Sequence, residues 1–168
     1  MEVSKIYFDM DGVLADFTRG FEDMCGLKPP VPGTFAPDED AWMWAMIRET
    51  DHYYDRLDLC PGAKEMFGAV YGKYGDRCEI LTGIPQPDKG IETAAEDKLK
   101  WMKRMLSDQV KVNICYRAEK IRKCTGRDCV LIDDQEKNIR EWERAGGTGI
   151  LFESPEAALA ALSRLEAE

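Results

Sequence analysis

Residues 5–12 read KIYFDMDG, an apolar run that ends in two acids separated by one residue and followed by glycine. The run Lys5–Phe8 predicts a short strand, because turn residues follow the apolar stretch at once. Alternate residues of an extended chain share a face, so Asp9 and Asp11 are expected to point into one site. Two carboxylates this close favour a divalent cation or an acid beside a nucleophile, although Asp and Gly are also ordinary turn residues.

Four further apolar runs predict strands, and they are Cys78–Leu81, Val110–Cys115, Cys129–Ile132 and Gly149–Phe152. Their hydrophobicity is continuous rather than alternating, which is typical of strands covered on both faces. Helical patterns lie between and after them, at Ala63–Tyr71, Ile91–Leu106, Glu136–Ala145 and from the capping residue Ser154 onward. This alternation predicts an α/β fold with a parallel sheet.

The stretch 15–59 interrupts this alternation. It has no strand pattern, and it contains four prolines between residues 29 and 37, followed by an aromatic cluster. We therefore predict a small helical cap that is inserted after the first strand. The predicted division is a core of residues 1–14 and 60–168 and a cap of residues 15–59.

The composition limits the classes of function. The chain has 168 residues, of which 44% are apolar, and this suits a domain with a substantial core. Its formal net charge of −9 disfavours a nucleic acid polymer as partner and gives an anionic substrate no long-range attraction. No apolar run approaches the roughly 20 residues of a membrane span. The opening residues lack the pattern of a signal peptide, so we expect a cytoplasmic protein without membrane contact.

Two polar groups follow the second and third strands, at the edge of the sheet where ligands of parallel α/β proteins bind. Thr82-Gly83 offers a hydroxyl beside an unhindered backbone N–H, which can cradle a phosphate. Lys120 can offset phosphate charge, although Arg122 and Lys123 are rival cations in the same loop. Each group alone is more typical of a turn or of a solvated surface.

A pair of acids, Asp133-Asp134, ends the fourth strand, and Asn138 lies one turn into the following helix. Adjacent acids at the end of a buried strand are costly unless a positive group binds them. Mg²⁺ is a fitting candidate, because it prefers oxygen ligands and keeps phosphate in its coordination shell. Four such groups at the ends of four strands favour one shared site over four unrelated turns.

These residues resemble a known set of motifs. The runs DMDGVLADF (9–17), LTG (81–83) and LIDD (131–134), with Lys120 and Asn138, resemble the four motifs of the haloacid dehalogenase superfamily of phosphohydrolases. DMDGVLADF, CPGAKEM (60–66) and LIDDQEKNIREWERAGGTGILF (131–152) are similar to the 5′(3′)-deoxyribonucleotidase family, although this chain and its insertion are short. The resemblance implies a Rossmann-like core with a five-stranded parallel sheet in the order 5-4-1-2-3.

The resemblance also implies a role for each site residue. Asp9 attacks phosphorus and forms an aspartyl-phosphate, and Asp11 acts as general acid and then general base. Mg²⁺ binds the Asp9 carboxylate, the main-chain carbonyl of Asp11 and the Asp133 carboxylate, with Asp134 close by and Asn138 supporting the acids. The remaining phosphate oxygens are held by Thr82, Gly83 and Lys120.

The predicted substrate is a small phosphate monoester, in the first place a nucleoside monophosphate. Candidates for stacking on its base are the cap aromatics Phe35, Trp42, Trp44 and Tyr53. The same aromatics suit the core of a small cap equally well. The alternatives are a phosphatase for another ester such as a sugar phosphate, a mutase, and a domain that binds Mg²⁺ and phosphate without turnover. The acid at Asp11 argues against the last of these.

Overall fold

The computed structural model of the chain describes residues 1–32 and 34–168. Within these ranges the chain forms a five-stranded parallel sheet in the order β3-β2-β1-β4-β5, which is the predicted order read from the other edge. The strands are β1 Lys5–Phe8, β2 Cys78–Gly83, β3 Val112–Cys115, β4 Cys129–Asp133 and β5 Thr148–Leu151. The five predicted strands and the α/β class are thus confirmed.

The central strand β1 pairs with β2 on one side and with β4 on the other. Its last residue, Phe8, lies opposite Ile80 and Ile132. All three side chains are fully buried, because helices cover both faces of the sheet. The backbone N–H of Asp9 donates to the Ile132 carbonyl at 2.9 Å, which extends the ladder by one residue and sets Asp9 beside the end of β4.

The α-helices of the described residues are α1 Phe17–Cys25, α2 Ala41–Glu49, α3 Ala63–Tyr74, α4 Ala94–Met105, α5 Glu136–Arg144 and α6 Pro155–Ala167. Helix α3 extends past the predicted end at Tyr71, because Tyr74 continues its buried stripe and Gly75 supplies the positive φ at the end. Helix α4 begins three residues later than predicted. The predicted cap of α6 is confirmed, since the Ser154 side chain accepts from the Ala157 N–H at 3.1 Å. None of these helices is both long and apolar enough to cross a membrane.

The stretch 15–59 contains α1, α2 and a short 3₁₀ turn at Tyr53–Arg56. The chain enters and leaves it side by side, because the Asp16 N–H donates to the Asp58 carbonyl at 2.9 Å and the Cys60 N–H donates to the Leu14 carbonyl at 2.8 Å. The division into a core and an inserted cap remains a proposal, and a paired entry and exit is the geometry that such an insertion requires.

Candidate active site

Three carboxylates meet at the carboxyl ends of the neighbouring strands β1 and β4. Asp9, Asp133 and Asp134 each offer an oxygen within 4.8 Å of the others. Asp9 is 5% exposed and Asp133 is fully buried. Parallel strands bring residues that are far apart in the sequence to one edge, and so many buried acids require positive charge close by.

Lys120 supplies one such charge. Its ammonium lies 2.7 Å from Asp9 Oδ1 and 2.7 Å from Asp133 Oδ2. The lysine comes from the 3₁₀ segment Arg117–Lys123 that follows β3, and it is 4% exposed. Burial alone would lower the pKa of Lys120, but the charges of Asp9 and Asp133 and the hydrogen bonds to them outweigh burial and raise it. The ammonium therefore stays charged between the two acids.

The two rival cations of this loop lie away from the carboxylates. Arg122 is exposed and donates to Glu119 at 2.8 Å, one turn along the same segment. Lys123 is also exposed. Of the three cations, Lys120 is thus the one that the fold turns inward, and its predicted contact with phosphate stays a prediction.

Both carboxylate oxygens of Asp133 already accept hydrogen bonds. Oδ1 accepts from the Gln135 backbone N–H at 2.9 Å and from the Asn138 amide at 3.1 Å. Oδ2 accepts from Lys120 and from Asn138, the latter at 3.0 Å. Arg117 donates to Asn138 Oδ1 at 3.0 Å, which turns the amide N–H group toward the acid. Asp133 is therefore held firmly by its surroundings.

Asp134 has far fewer partners. Its Oδ1 is buried and has no hydrogen-bond partner among the described residues. Its Oδ2 lies so close to Gly12 that a β-carbon on this residue would come within 2.1 Å of it, and Gly12 has a φ of 81°. Both the space and the left-handed backbone therefore require glycine there. Burial, followed by the charge of Asp9, raises the pKa of Asp134 to about 8 and that of Asp133 to about 6.

This donor set fits a divalent cation. A buried carboxylate with an unused oxygen is stabilised by a hard cation with oxygen ligands. Among the described residues, Asp9 accepts a side-chain hydrogen bond through Oδ1 alone and Asp134 Oδ1 has no partner, whereas both oxygens of Asp133 already accept. The hydrogen bonds thus favour an exchange of the two roles expected from sequence, with Asp134 as the direct ligand and Asp133 as its neighbour.

A second buried lysine, Lys98, occupies the other half of the site, and no sequence motif indicated it. Its ammonium lies 2.7 Å from Asp11 Oδ2, 2.9 Å from Thr82 Oγ1 and 2.7 Å from the Gly83 carbonyl oxygen. The ring of Tyr54 covers it, with 4.7 Å between Nζ and the ring centroid. Lys98, a residue of α4, thereby links Thr82 and Asp11, two of the residues that the sequence assigned to the site.

One signal in the sequence could have identified Lys98. It lies one helical turn from Ala94 and one turn from Met102, and both of these are buried. Lys98 is therefore a charged residue on the apolar stripe of α4, and a charge in such a position is rare unless it is paired.

The comparisons with known proteins agree with this geometry. A family model described as "5' nucleotidase, deoxy (Pyrimidine), cytosolic type C protein" matches residues 3–164. The chain belongs to this nucleotidase family. It is a phosphoric monoester hydrolase, as the resemblance implied. A sequence comparison with curated proteins finds no match.

Solved structures share the fold of this nucleotidase-family chain at low identity. A haloacid dehalogenase-like hydrolase from Streptococcus pneumoniae has a TM-score of 0.56 at 12% identity, with 95% of this chain and 98% of that chain covered. A Had-superfamily hydrolase from Ehrlichia chaffeensis has a TM-score of 0.52 at 13% identity, with 99% of each chain covered. A dehalogenase in an intermediate complex has a TM-score of 0.53 at 13% identity, with 88% of this chain and 84% of that chain covered. Identities this low establish the fold alone.

Tyr53 does not fit the stacking role that we considered for it. It is 1% exposed, its ring packs edge-on against Phe17 at 5.5 Å, and its hydroxyl donates to the Phe17 carbonyl at 3.2 Å. Its other neighbours, Phe21 and Tyr54, are buried with it. Tyr53 thus belongs to the aromatic core of the stretch 15–59, because so short a stretch needs its largest rings to exclude water.

The other three aromatics that the sequence offered for stacking keep accessible surface. Trp42 is 41% exposed, and its ring makes a T-shaped contact with Phe21, at 5.8 Å between ring centroids. Trp44 is half-buried, and its indole N–H donates to Asp40 at 2.7 Å. Phe35 is half-buried as well. These three remain the candidates for contact with a substrate.

Proposed function

We propose that the chain is a Mg²⁺-dependent 5′(3′)-(deoxy)ribonucleotidase that releases phosphate from nucleoside monophosphates through an aspartyl-phosphate on Asp9. The observation that carries this proposal is that Asp9, Asp133 and Asp134 meet at one edge of the sheet, where Lys120 binds the first two and a second buried lysine, Lys98, binds Asp11. The family description supports a nucleotide as substrate. We also retain the cytoplasm as the expected location.

In the first step, an oxygen of Asp9 attacks phosphorus and the bond to the ester oxygen breaks. Lys120 holds Asp9 Oδ1 at 2.7 Å and so fixes the direction of the nucleophile. The departing oxygen takes a proton from Asp11, whose Oδ1 is buried and free of partners among the described residues. The products of this step are the alcohol and a phosphorylated Asp9.

In the second step, water attacks the phosphorus of this intermediate and gives its proton to Asp11. The bond between Asp9 and phosphorus breaks, and inorganic phosphate leaves. Asp11 is then protonated again and ready for the next ester, so that one carboxyl serves as acid and as base. This double use requires Asp11 to keep its position through both steps.

The phosphate group carries charge that the site must balance. We propose that Lys120, Thr82 and the Gly83 N–H hold its oxygens in both steps. Mg²⁺ at the carboxylates would neutralise the anionic nucleophile and substrate, so that the two can meet. We propose Asp9, Asp134 and the main-chain carbonyl of Asp11 as its ligands. Asp133 would hold Lys120 and the end of β4 in place.

The runner-up function is the same chemistry on another small ester such as a sugar phosphate. Contact of the substrate with the accessible rings of Trp42, Trp44 or Phe35 would favour the nucleotide, because a flat base stacks on an aromatic ring for about 1–3 kcal/mol. A sugar phosphate would instead favour charged and amide side chains around its hydroxyl groups.

The test is phosphate release from a panel of nucleoside monophosphates and sugar phosphates, with Mg²⁺ and with a chelator. Asp9→Asn removes the nucleophile at nearly constant shape, and Asp108→Asn changes an exposed acid as the matched control. Release that requires both Mg²⁺ and Asp9, with Asp108→Asn unaffected, supports the proposal. No release from any panel member by the folded, Mg²⁺-loaded chain would contradict it.

A further inference from the structure

All three ammonium protons of Lys98 are used in hydrogen bonds within the site. Its side chain is 1% exposed, and an ammonium group has three protons and no lone pair. The three oxygens within 2.9 Å belong to Asp11, Thr82 and Gly83. Each contact therefore fixes Lys98 as the donor and the oxygen as the acceptor.

The first consequence concerns the hydroxyl of Thr82. Because Oγ1 accepts from Lys98, the proton of the hydroxyl must point elsewhere. The Gly83 carbonyl is 3.5 Å away, too long for a good hydrogen bond, and it already accepts from Lys98 at 2.7 Å. The hydroxyl is thus set in advance to donate to an anion in the site.

The second consequence concerns the two oxygens of Asp11. Oδ2 is bound by Lys98 at 2.7 Å, whereas Oδ1 is buried with no partner within the described ranges. A carboxyl pinned through one oxygen cannot rotate freely. The other oxygen is therefore the one that exchanges a proton with a substrate.

Tyr54 shields this arrangement from water. Its ring lies 4.7 Å from Lys98 Nζ, and the residue is 2% exposed. An ammonium under an aromatic face is attracted to it, and the face also blocks one direction of approach for water. Tyr54 lies in the stretch 15–59, so this part of the chain completes the surroundings of Lys98.

We propose that Lys98 is a positioning residue for the acid step, which holds Asp11 with Oδ1 toward the departing oxygen and holds Thr82 as a donor to the phosphoryl group. This inference rests on the proposed function and deepens it. Lys98 touches no reacting atom itself. Its influence therefore depends on whether the departing oxygen needs a proton.

The test compares two esters in Lys98→Met, which keeps length and apolar bulk but removes the charge. The alkoxide of a deoxynucleoside 5′-monophosphate needs a proton to leave, whereas p-nitrophenolate does not. The value of kcat/KM reports the steps through transfer to Asp9, since the alcohol is lost there. Lys100→Met, on an exposed position of the same helix, is the matched control.

We expect Lys98→Met to lose at least about tenfold more kcat/KM on the nucleotide than on p-nitrophenyl phosphate, since a well-placed acid contributes about 10²–10⁴-fold. Asp11→Asn should show the same preference for the aryl ester. Inhibition by inorganic phosphate should weaken about tenfold in Lys98→Met, because Thr82 loses its fixed orientation. Lys100→Met should match the wild type in all three measurements.

An equal loss on both esters would overturn the inference and leave Lys98 with a structural role only. If Lys98→Met does not fold, Lys98→Gln retains hydrogen bonding and is judged by the same ratio of the two esters. This ratio does not depend on the fraction of folded enzyme. A wild-type chain without Mg²⁺-dependent turnover would contradict the proposed function instead, so the two failures are distinct.

Discussion

The site has two halves, and each is built around a buried lysine. Lys120 lies between two carboxylates, those of Asp9 and Asp133, at the ends of strands. Lys98 lies on a helix and contacts a single carboxylate, that of Asp11, together with two neutral oxygens. The strand half thus concentrates charge, and the helix half fixes orientation. Removing a lysine should therefore have different consequences in the two halves.

The largest effect is expected in the strand half. Lys120→Met leaves Asp9 and Asp133 buried without their cation, and it should lower kcat/KM by at least about 10³-fold on alkyl and aryl esters alike. It should also lower the melting temperature, because unpaired buried charges are strongly destabilising. Lys123→Met is the control, since this lysine is exposed. A loss for Lys123→Met that equals the loss for Lys120→Met would show that the wrong cation has been assigned.

A smaller effect separates the two adjacent acids of the strand half. Asp134→Asn should raise the Mg²⁺ concentration for half-maximal activity by about 100-fold or more, because it removes a direct ligand. Asp133→Asn should raise this concentration less, by about 10- to 100-fold, as expected for a neighbour that orients a ligand. A Mg²⁺ titration of both variants measures this, and the reverse order would restore the assignment first made from sequence.

The helix half can be probed from the stretch 15–59. Tyr54→Leu removes the ring over Lys98 and should lower kcat/KM for the nucleotide by about tenfold, since cation–π contacts of desolvated groups contribute up to about 2 kcal/mol. The loss on p-nitrophenyl phosphate should be smaller. Tyr71→Leu replaces a half-buried tyrosine of α3 that stacks on Phe67, and it is the matched control. Equal losses of kcat/KM on both esters would show that Tyr54 does not contribute to the acid step.

The smallest effect is on stability. An acid whose pKa is raised on folding contributes stability that is present at low pH and is lost as the pH rises through the folded value. For Asp134, with a pKa near 8, this window runs from about pH 4 to about pH 8. From this window alone, the metal-free chain should lose about 2 kcal/mol between pH 6 and 8.

Denaturant unfolding at several pH values checks this last expectation. Mg²⁺ should remove the loss, because the cation favours the ionised carboxylate. In Asp134→Asn, the free energy of unfolding should depend less on pH, and Mg²⁺ should not change this dependence. The variant also separates the contribution of Asp134 from that of His52, whose pKa is raised by its hydrogen bond to Asp97. If the slope of unfolding free energy against pH is the same in Asp134→Asn as in the wild type, the pH dependence comes from other groups.

Much of the strand half could be predicted because its signals are local. A continuous apolar run such as that before Asp9 predicts a buried strand, and in a parallel sheet every strand ends at the same edge. The residues at the carboxyl ends of β1, β2 and β4 therefore had to lie near one another. The ends of helices were predicted less accurately. Helix α3 continues through Gly72, because the burial of Tyr74 outweighs the low helix propensity of glycine.

The sequence by itself determined the strands, their shared edge and the acids that gather there, since these follow from patterns within a few residues. Only the tertiary structure decided which groups meet across long separations, such as Lys98 with Asp11, 87 residues apart. It also decided that Asp134 rather than Asp133 has an unused oxygen and that Tyr53 is buried. Hydrogen bonding and burial depend on every neighbour in space, and these neighbours come from distant parts of the chain.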